Sequence, residues 1–396
     1  MSAPAFLTPS PLPINNSQRP RRLSAWSPTP RRFARSHNTT LATASGSSTE
    51  TPSPAKETST FSQRPDAPGW TGTGPLSRMV NALINFPPFK SVMRYGARKV
   101  LISTAERSGI EWTNEVAALN AALPLNSKQR EQALSAVTND DLVYPSYYTV
   151  PFHAYPKGNL DWLPAFEARP ATMAMSKRVF EDESAEVAFD RMRKLFFEKL
   201  MKHAPGGWHA KPHLNVVDVG CSVGLSTRDL VSRIMNERGP QLAPPRVTGI
   251  DASPYFLAVA KRFQAEADAE TTAPKAIVDY VHALAEGTGF PDESVDLWSM
   301  QLVTHELPDA ATSAITAEAF RVLRSGGVFA IMDQDPRSEV IRNLPPVLAT
   351  LMKSTEPYTD QYYLLDIEQV LLDTGFVQVR TELTTPRHRC FIAMKP

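Results

Sequence analysis

Two carboxylates and the small residues between them carry the chemistry this sequence offers. Asp218, Gly220, Cys221, Ser222 and Gly224 lie in the stretch NVVDVGCSVGLST (215–227), and Asp251 closes the later stretch RVTGID. Val216, Val217 and Val219 form the β-branched run of a strand buried on both faces of a parallel sheet. Gly220 and Gly224 have no Cβ, so they can take positive φ and let a ligand approach the main chain. Asp251 ends a second apolar strand, Arg246 to Ile250, at the edge where open α/β sheets bind ligands. A carboxylate there can accept both hydroxyls of a ribose. The chemistry is that of holding a nucleoside. Cys221 reads as a small filler, not a nucleophile.

The elements that position these residues follow from pattern. Thr227 can cap a helix whose Leu230, Val231, Ile234 and Met235 share one face and which Gly239 stops. Ser253 and Pro254 open another helix, through Phe263. A third strand covers Ile277 to Ala283 and a fourth Val295 to Gln301. Helix Ala310 to Arg324, closed by Gly326 and Gly327, feeds a fifth strand, Val328 to Met332, that ends in Asp333 and Asp335. Asp366 begins a helix with Gln369 at capping-box spacing, and Gly375 ends it. The last two strands, Val377 to Leu383 and Cys390 to Met394, are joined by TTPRHR, which suits a hairpin and is too short for a crossover helix. The expected fold is α/β: a Rossmann-like, seven-stranded, mostly parallel sheet with an antiparallel C-terminal strand, preceded by a helical and irregular lid region.

At 396 residues, 42% hydrophobic and net charge +1, the chain suits a soluble protein of one large domain and an accessory one, and the charge balance does not point to nucleic acid. Cys221 and Cys390 offer no metal-ligand spacing, so neither a metal nor a disulfide framework is expected. Residues 1–70 differ in kind. No acid precedes Glu50, while Arg19, Arg21, Arg22, Arg31, Arg32 and Arg35 stand among Ser, Thr, Ala and Pro. This is the composition of an organelle transit peptide, plastid or mitochondrial, or of a disordered tail; it lacks the apolar core of a secretory signal. No run of about 18 apolar residues occurs that could form a spanning helix.

Residues 71–210 read as the accessory region and 211–396 as the main domain. From Pro75 to Ala122 the pattern is helical, with Phe89, Val92, Met93, Val100 and Leu101 at helical spacing and Lys90, Arg94 and Arg98 forming a basic stripe. That helix either packs on the core with a solvated back or lies on an anionic membrane surface. The segment YPSYYTVPFHAYPKGNLDW (144–162) is aromatic and broken by prolines, a natural lid. Its Tyr147, Tyr148, His153, Tyr155 and Trp162 either line an aromatic substrate pocket or cement the lid to the sheet. A helix from Ala171 to His203 follows.

A dinucleotide fingerprint needs G-x-G-x-x-G, and Leu225 stands where its third glycine belongs. Asp218, Gly220, Ser222, Gly224 and Asp251 instead resemble the class I S-adenosylmethionine-dependent methyltransferases, an acid followed by G-x-G-x-G and a second strand ending in an acid, with Ser222 replacing the middle glycine. The stretches AEGTGFPDESVDLWSM and RVLRSGGVFAIMD are similar to later family segments. The lid sequence, SPYFLAVA, LMKSTEPYTDQYYLLD and PRHR together look like a plastid-targeted plant and algal methyltransferase family, whose core resembles the quinone-biosynthesis C-methyltransferases.

The resemblance implies S-adenosylmethionine as cofactor, with Ala252 and Gln301 beside it. Leu284 takes the place of the usual adenine-binding Asp, so Ala285 and Glu286 would serve there. It also implies that His305 and Glu306, just after strand four, face the methyl group and orient or deprotonate an acceptor, with His388 as a further candidate. Histidine, with a pKa near 6.5, suits proton acceptance. The implied reaction is in-line displacement at a sulfonium methyl onto a small-molecule acceptor, its rate coming from alignment under the lid. A nicotinamide oxidoreductase and a non-catalytic S-adenosylmethionine-binding protein are the alternatives; the antiparallel terminal pair belongs to the methyltransferase sheet.

Overall fold

The protein's computed structural model describes residues 68–396 other than 73, 76, 79–81, 83–86, 154 and 271–275, with backbone alone at 87–95, 97, 346–347 and 351. The expected leader lies outside the described residues up to residue 67. Pro68 to Trp70 are described, and Trp70 is 1% exposed, its indole N–H donating to the Ile341 carbonyl at 3.1 Å.

The accessory region supplies helices α1 (Pro87–Arg107), α2 (Trp112–Ala122), α3 (Lys128–Ser135), α4 (Trp162–Val179) and α5 (Ala185–His203). Caps explain two departures from the expected Ala171–His203 helix. Asp161 accepts the Trp162 N–H at 2.7 Å and starts α4 earlier, while Ser184 accepts the Val187 N–H at 3.3 Å and starts α5 anew. Of the expected basic stripe, the Lys90 and Arg94 side chains lie outside the described residues. Arg98 is turned inward to ion-pair with Glu167 of α4, because a carboxylate 2% exposed needs a partner. The membrane-surface reading therefore loses Arg98. Among the described residues no helix is long and apolar enough to cross a membrane.

The sheet joins β1 (Asn215–Val219), β2 (Arg246–Asp251), β3 (Ile277–His282), β4 (Val295–Gln301), β5 (Leu323–Gln334), β6 (Val377–Leu383) and β7 (His388–Met394) in the order β3-β2-β1-β4-β5-β7-β6. All pairings are parallel except those of β7, which runs antiparallel to β5 and β6. The seven strands and their one reversed member are as the sequence predicts. Strand β5 begins five residues earlier than Val328, so the Gly326–Gly327 pair sits inside its irregular start and not between helix and strand.

Interleaved with the strands are α6 (Leu225–Arg238), α7 (Pro254–Glu270), α8 (Asp309–Val322), α9 (Glu339–Arg342), α10 (Pro346–Thr355), α11 (Thr359–Leu364) and α12 (Ile367–Thr374). Strand periodicity sorts the core into two layers. Val217, Val219, Trp298, Met300, Phe329, Ile331 and Phe391 face α8, α11 and α12, while Val216, Val247, Leu297, Val328, Ala330 and Ile392 face α5 and α6. Each large apolar side chain so buried contributes about 1.5–3 kcal/mol. Phe196 and Leu200 of α5 belong to the second layer, so this helix is part of the sheet's own packing although it precedes residue 211. The chain leaves β1 toward β2 on one side and reaches β4 on the other. This reversal opens a crevice at the strands' C-terminal ends.

Candidate active site

On the β1–β2 side the loop after β1 is built from main chain. Helix α6 starts at Leu225 behind Gly224, which is left-handed at φ 76°. Thr227 is therefore not the cap: its hydroxyl and that of Ser226 donate to Asp218 Oδ2 at 2.8 and 2.6 Å, fastening the helix start to the strand. Asp218 is fully buried and its Oδ1 has no hydrogen-bond partner among the described residues. Burial raises its pKa against those two hydroxyls. The glycines serve packing. A Cβ at Gly220 would strike Val303, and one at Gly224 would strike the Tyr280 ring, and both glycines take the positive φ expected of them, 65° and 76°. Cys221 is a buried filler whose thiol burial keeps protonated.

Ser222 stands at φ 50°, a left-handed conformation that glycine adopts at less cost. Its N–H donates to Asp251 Oδ2 at 2.8 Å, and the Ser253 N–H donates to Asp251 Oδ1 at 2.8 Å. Burial pushes the Asp251 carboxyl up to about 7 against these two donors. The carboxylate thus sits on the rim at the end of β2, pinned to the loop. An orphan carboxylate oxygen at one end of that loop and a rim carboxylate at the other suit a ligand with a cationic end and vicinal hydroxyls, as S-adenosylmethionine has.

Around β3 the rim is closed by the lid. Register pairs Asp251 with His282, which the sequence reading passed over. His282 Nδ1 accepts the Asn139 N–H at 2.9 Å, and Nε2 lies 3.0 Å from the Ala252 carbonyl and 2.9 Å from the Tyr144 hydroxyl. A polar residue ending a strand beside Asp251 was the available signal. Leu284 and Gly287 bridge to make a tight turn, within which Ala285 packs on the core and Glu286 accepts the Tyr147 hydroxyl. Gln301 does not reach the rim as expected. Its Oε1 accepts from the buried Arg193 of α5 at 2.7 Å, which ties it beneath the sheet's end.

Across the crevice a different site forms from long side chains. After β4, Leu302 turns the chain at φ 60° and Thr304–Glu306 makes one 3-10 turn. There the His305 N–H donates to Asp333 Oδ2 at 3.1 Å and His305 Nδ1 donates to Asp333 Oδ1 at 2.7 Å. Burial works to lower the His305 pKa, but the Asp333 charge and hydrogen bond outweigh it and raise it to about 10. Burial likewise raises Asp333, yet the imidazole and backbone donors hold it below the ordinary value. Of the two roles expected of His305, orienting an acceptor fits the two bonds to Asp333 that fix its ring.

From the lid comes His153, left-handed at φ 45°, its N–H donating to the Thr355 carbonyl at 2.9 Å. Its Nε2 lies 3.7 Å from Glu356 Oε1 and 3.9 Å from Glu306 Oε1. Tyr148 stacks on Tyr144 with centroids 5.7 Å apart. Burial first, then the charges of Asp251 and Glu306, raise its pKa well above the phenol range. His388 lies behind the pair, its Nδ1 2.8 Å from the Thr385 hydroxyl, and burial lowers its pKa to about 4, which keeps it neutral. Tyr155 and Trp162 serve packing and not a pocket. The Tyr155 hydroxyl donates to Glu167 at 2.5 Å, and Trp162 packs against Phe166, Tyr255 and Arg130. Asp333 and Glu356 are further residues that sequence reasoning did not place in the site. Asp333 ends a strand at the rim, a readable signal, whereas nothing in the local pattern marks Glu356.

Residues 217–331 match the family model described as a methyltransferase domain. Over 173 residues the chain is 31% identical to an uncharacterized methyltransferase of Synechocystis sp., covering 43% of this chain and 71% of that protein. It is 27% identical over 151 residues to the ubiquinone/menaquinone biosynthesis C-methyltransferase UbiE of Bartonella henselae, covering 37% of this chain and 53% of that one. A solved structure, Haemonchus contortus phosphoethanolamine N-methyltransferase 2 with S-adenosyl-L-methionine, is similar at 19% identity and a TM-score of 0.37, covering 51% of this chain and 52% of its own. The chain spans about half the length of the Bartonella and Haemonchus proteins.

Proposed function

The chain belongs to the class I S-adenosylmethionine-dependent methyltransferases, and we propose that it methylates a small hydrophobic acceptor, quinone-type or phenolic, in the plastid. The observation that carries methyl transfer is the pinning of Asp251 to the Ser222 N–H at the rim, opposite the Asp333–His305 pair across one crevice. When bound, the cofactor supplies an electrophilic methyl group on sulfur. The protein's own residues do the rest. Asp251 accepts sugar hydroxyls, the Ser222 loop fixes where the nucleoside lies, and His305, held by two bonds to Asp333, sets the acceptor's orientation. Tyr144, Tyr147 and Tyr148 exclude water over the rim, which strengthens each polar contact beneath them.

The aromatic acceptor class is supported by the Tyr144–Tyr148 stack and by the quinone-pathway name of the Bartonella relative. The plastid is supported by the arginine-rich, acid-poor leader. Calorimetry of the full chain with S-adenosylhomocysteine tests the first step and labelled-methyl incorporation in a plastid extract the second. Binding and label in an organic-soluble product are expected. A protein that ignores S-adenosylhomocysteine at millimolar concentration would end this reading.

A further inference from the structure

One donor atom each of His153, His305 and Glu356 lie within 4.8 Å of one another, although the lid, the turn after β4 and the end of α10 deliver them separately. We infer that these three residues, completed by Glu306, form a binding site for a divalent first-row transition-metal ion. No metal is expected from the cysteines, and the sequence hides this set because its members lie far apart along the chain, apart from the adjacent His305 and Glu306.

The geometry supports an ion in three ways. A tetrahedral ion with bonds of about 2.0–2.2 Å holds its donors about 3.3–3.5 Å apart. His153 Nε2 is already 3.7 Å from Glu356 Oε1 and 3.9 Å from Glu306 Oε1, and the donor atoms of His153, His305 and Glu356 lie within 4.8 Å of one another. Next, His305 gives its Nδ1–H to Asp333, the backing that fixes a metal-binding imidazole and presents Nε2 as the ligand atom. Finally, Glu306, Glu356 and Asp333 outnumber the two imidazoles, and a set of two nitrogens and two carboxylates matches borderline divalent ions better than calcium or magnesium. The backbone bond from His153 to the Thr355 carbonyl already sets the lid in place, so the ion would lock it to the turn that carries His305. The site's existence is independent of methyl transfer; only its facing toward the acceptor rests on the proposed function.

The test uses tag-free full chain, stripped with a chelator, loaded with zinc sulfate and gel-filtered before elemental analysis. About one zinc per chain is expected, as for a defined protein site. Cobalt(II) in its place should show visible bands of nitrogen and oxygen ligands. The double variant His153→Ala, Glu356→Gln should lose zinc while binding S-adenosylhomocysteine as the parent does, which shows that it is folded. A parent chain that retains no zinc, or a double variant that retains as much as the parent, overturns the inference. Zinc bound at this site by a chain that ignores S-adenosylhomocysteine would uphold the metal site and remove the cofactor reading alone.

Discussion

The two sides of the crevice are built by opposite methods. On the β1–β2 side the contacts are made by main chain and by short polar groups: Ser222 and Ser253 N–H on Asp251, Ser226 and Thr227 hydroxyls on Asp218. On the β4–β5 side long side chains from distant segments meet, His153 from the lid, His305 from a turn, Asp333 from β5 and Glu356 from the end of α10. The first method fixes a shape that one ligand fits. The second brings separate segments together through side-chain contacts, with Asp333 also holding the turn through the His305 N–H.

The largest expected effect sharpens this division on the cofactor side. Removing the rim carboxylate in Asp251→Ala takes away two charge-assisted bonds of about 1.5–3 kcal/mol each, so S-adenosylhomocysteine should bind roughly 10²–10⁴-fold more weakly. Calorimetry reads this directly, and a loss below about tenfold would mean that the loop and not the carboxylate holds the nucleoside. Next, His305→Ala should reduce methyl transfer by about 10²-fold through misplacement of the acceptor, with cofactor affinity within about twofold of the parent. Equal losses in both measurements would erase the distinction between the halves.

A third test uses pH. Burial raises Asp251 from its ordinary 3.8 to about 7. Since the folded value lies above the unfolded one, its contribution to stability is complete below pH 3.8 and is lost as pH rises through about 7. Cofactor binding runs the other way, because the ionised carboxylate is the better acceptor of hydroxyls. S-adenosylhomocysteine affinity should fall by up to about tenfold per pH unit below 7, and Asp251→Asn should flatten that slope. The smallest effect marks where the acceptor half ends. Tyr155→Phe removes the hydroxyl's contacts with Glu167 and Arg98, so urea unfolding should show a loss of about 1 kcal/mol with turnover and cofactor affinity unchanged. A turnover defect would return Tyr155 to the pocket.

The same contrast explains what could be read in advance. Strand order and the antiparallel β7 follow from local patterns, since apolar runs, turn residues and the short TTPRHR connection each constrain their own neighbourhood. Asp218, Ser222 and Asp251 are legible for that reason. Local pattern did not show that Gly220 and Gly224 make room for Val303 and Tyr280, because those contacts come from residues far along the chain. Nor could it separate Tyr148 and His153, which reach the site, from Tyr155 and Trp162, which pack: all four share one aromatic segment, and only the position of Glu167, Phe166 and Tyr255 decides. Gln301 is misread in the same way, since Arg193 claims it from a helix one hundred and eight residues earlier.

Trp70 sets a limit on truncation. Its indole closes over Tyr363 and hangs from the Ile341 carbonyl, so it roofs the same aromatic floor from which Tyr362 and Tyr363 reach Gln334 at the end of β5. A chain shortened past this tryptophan would lose that cap from the base of the acceptor half.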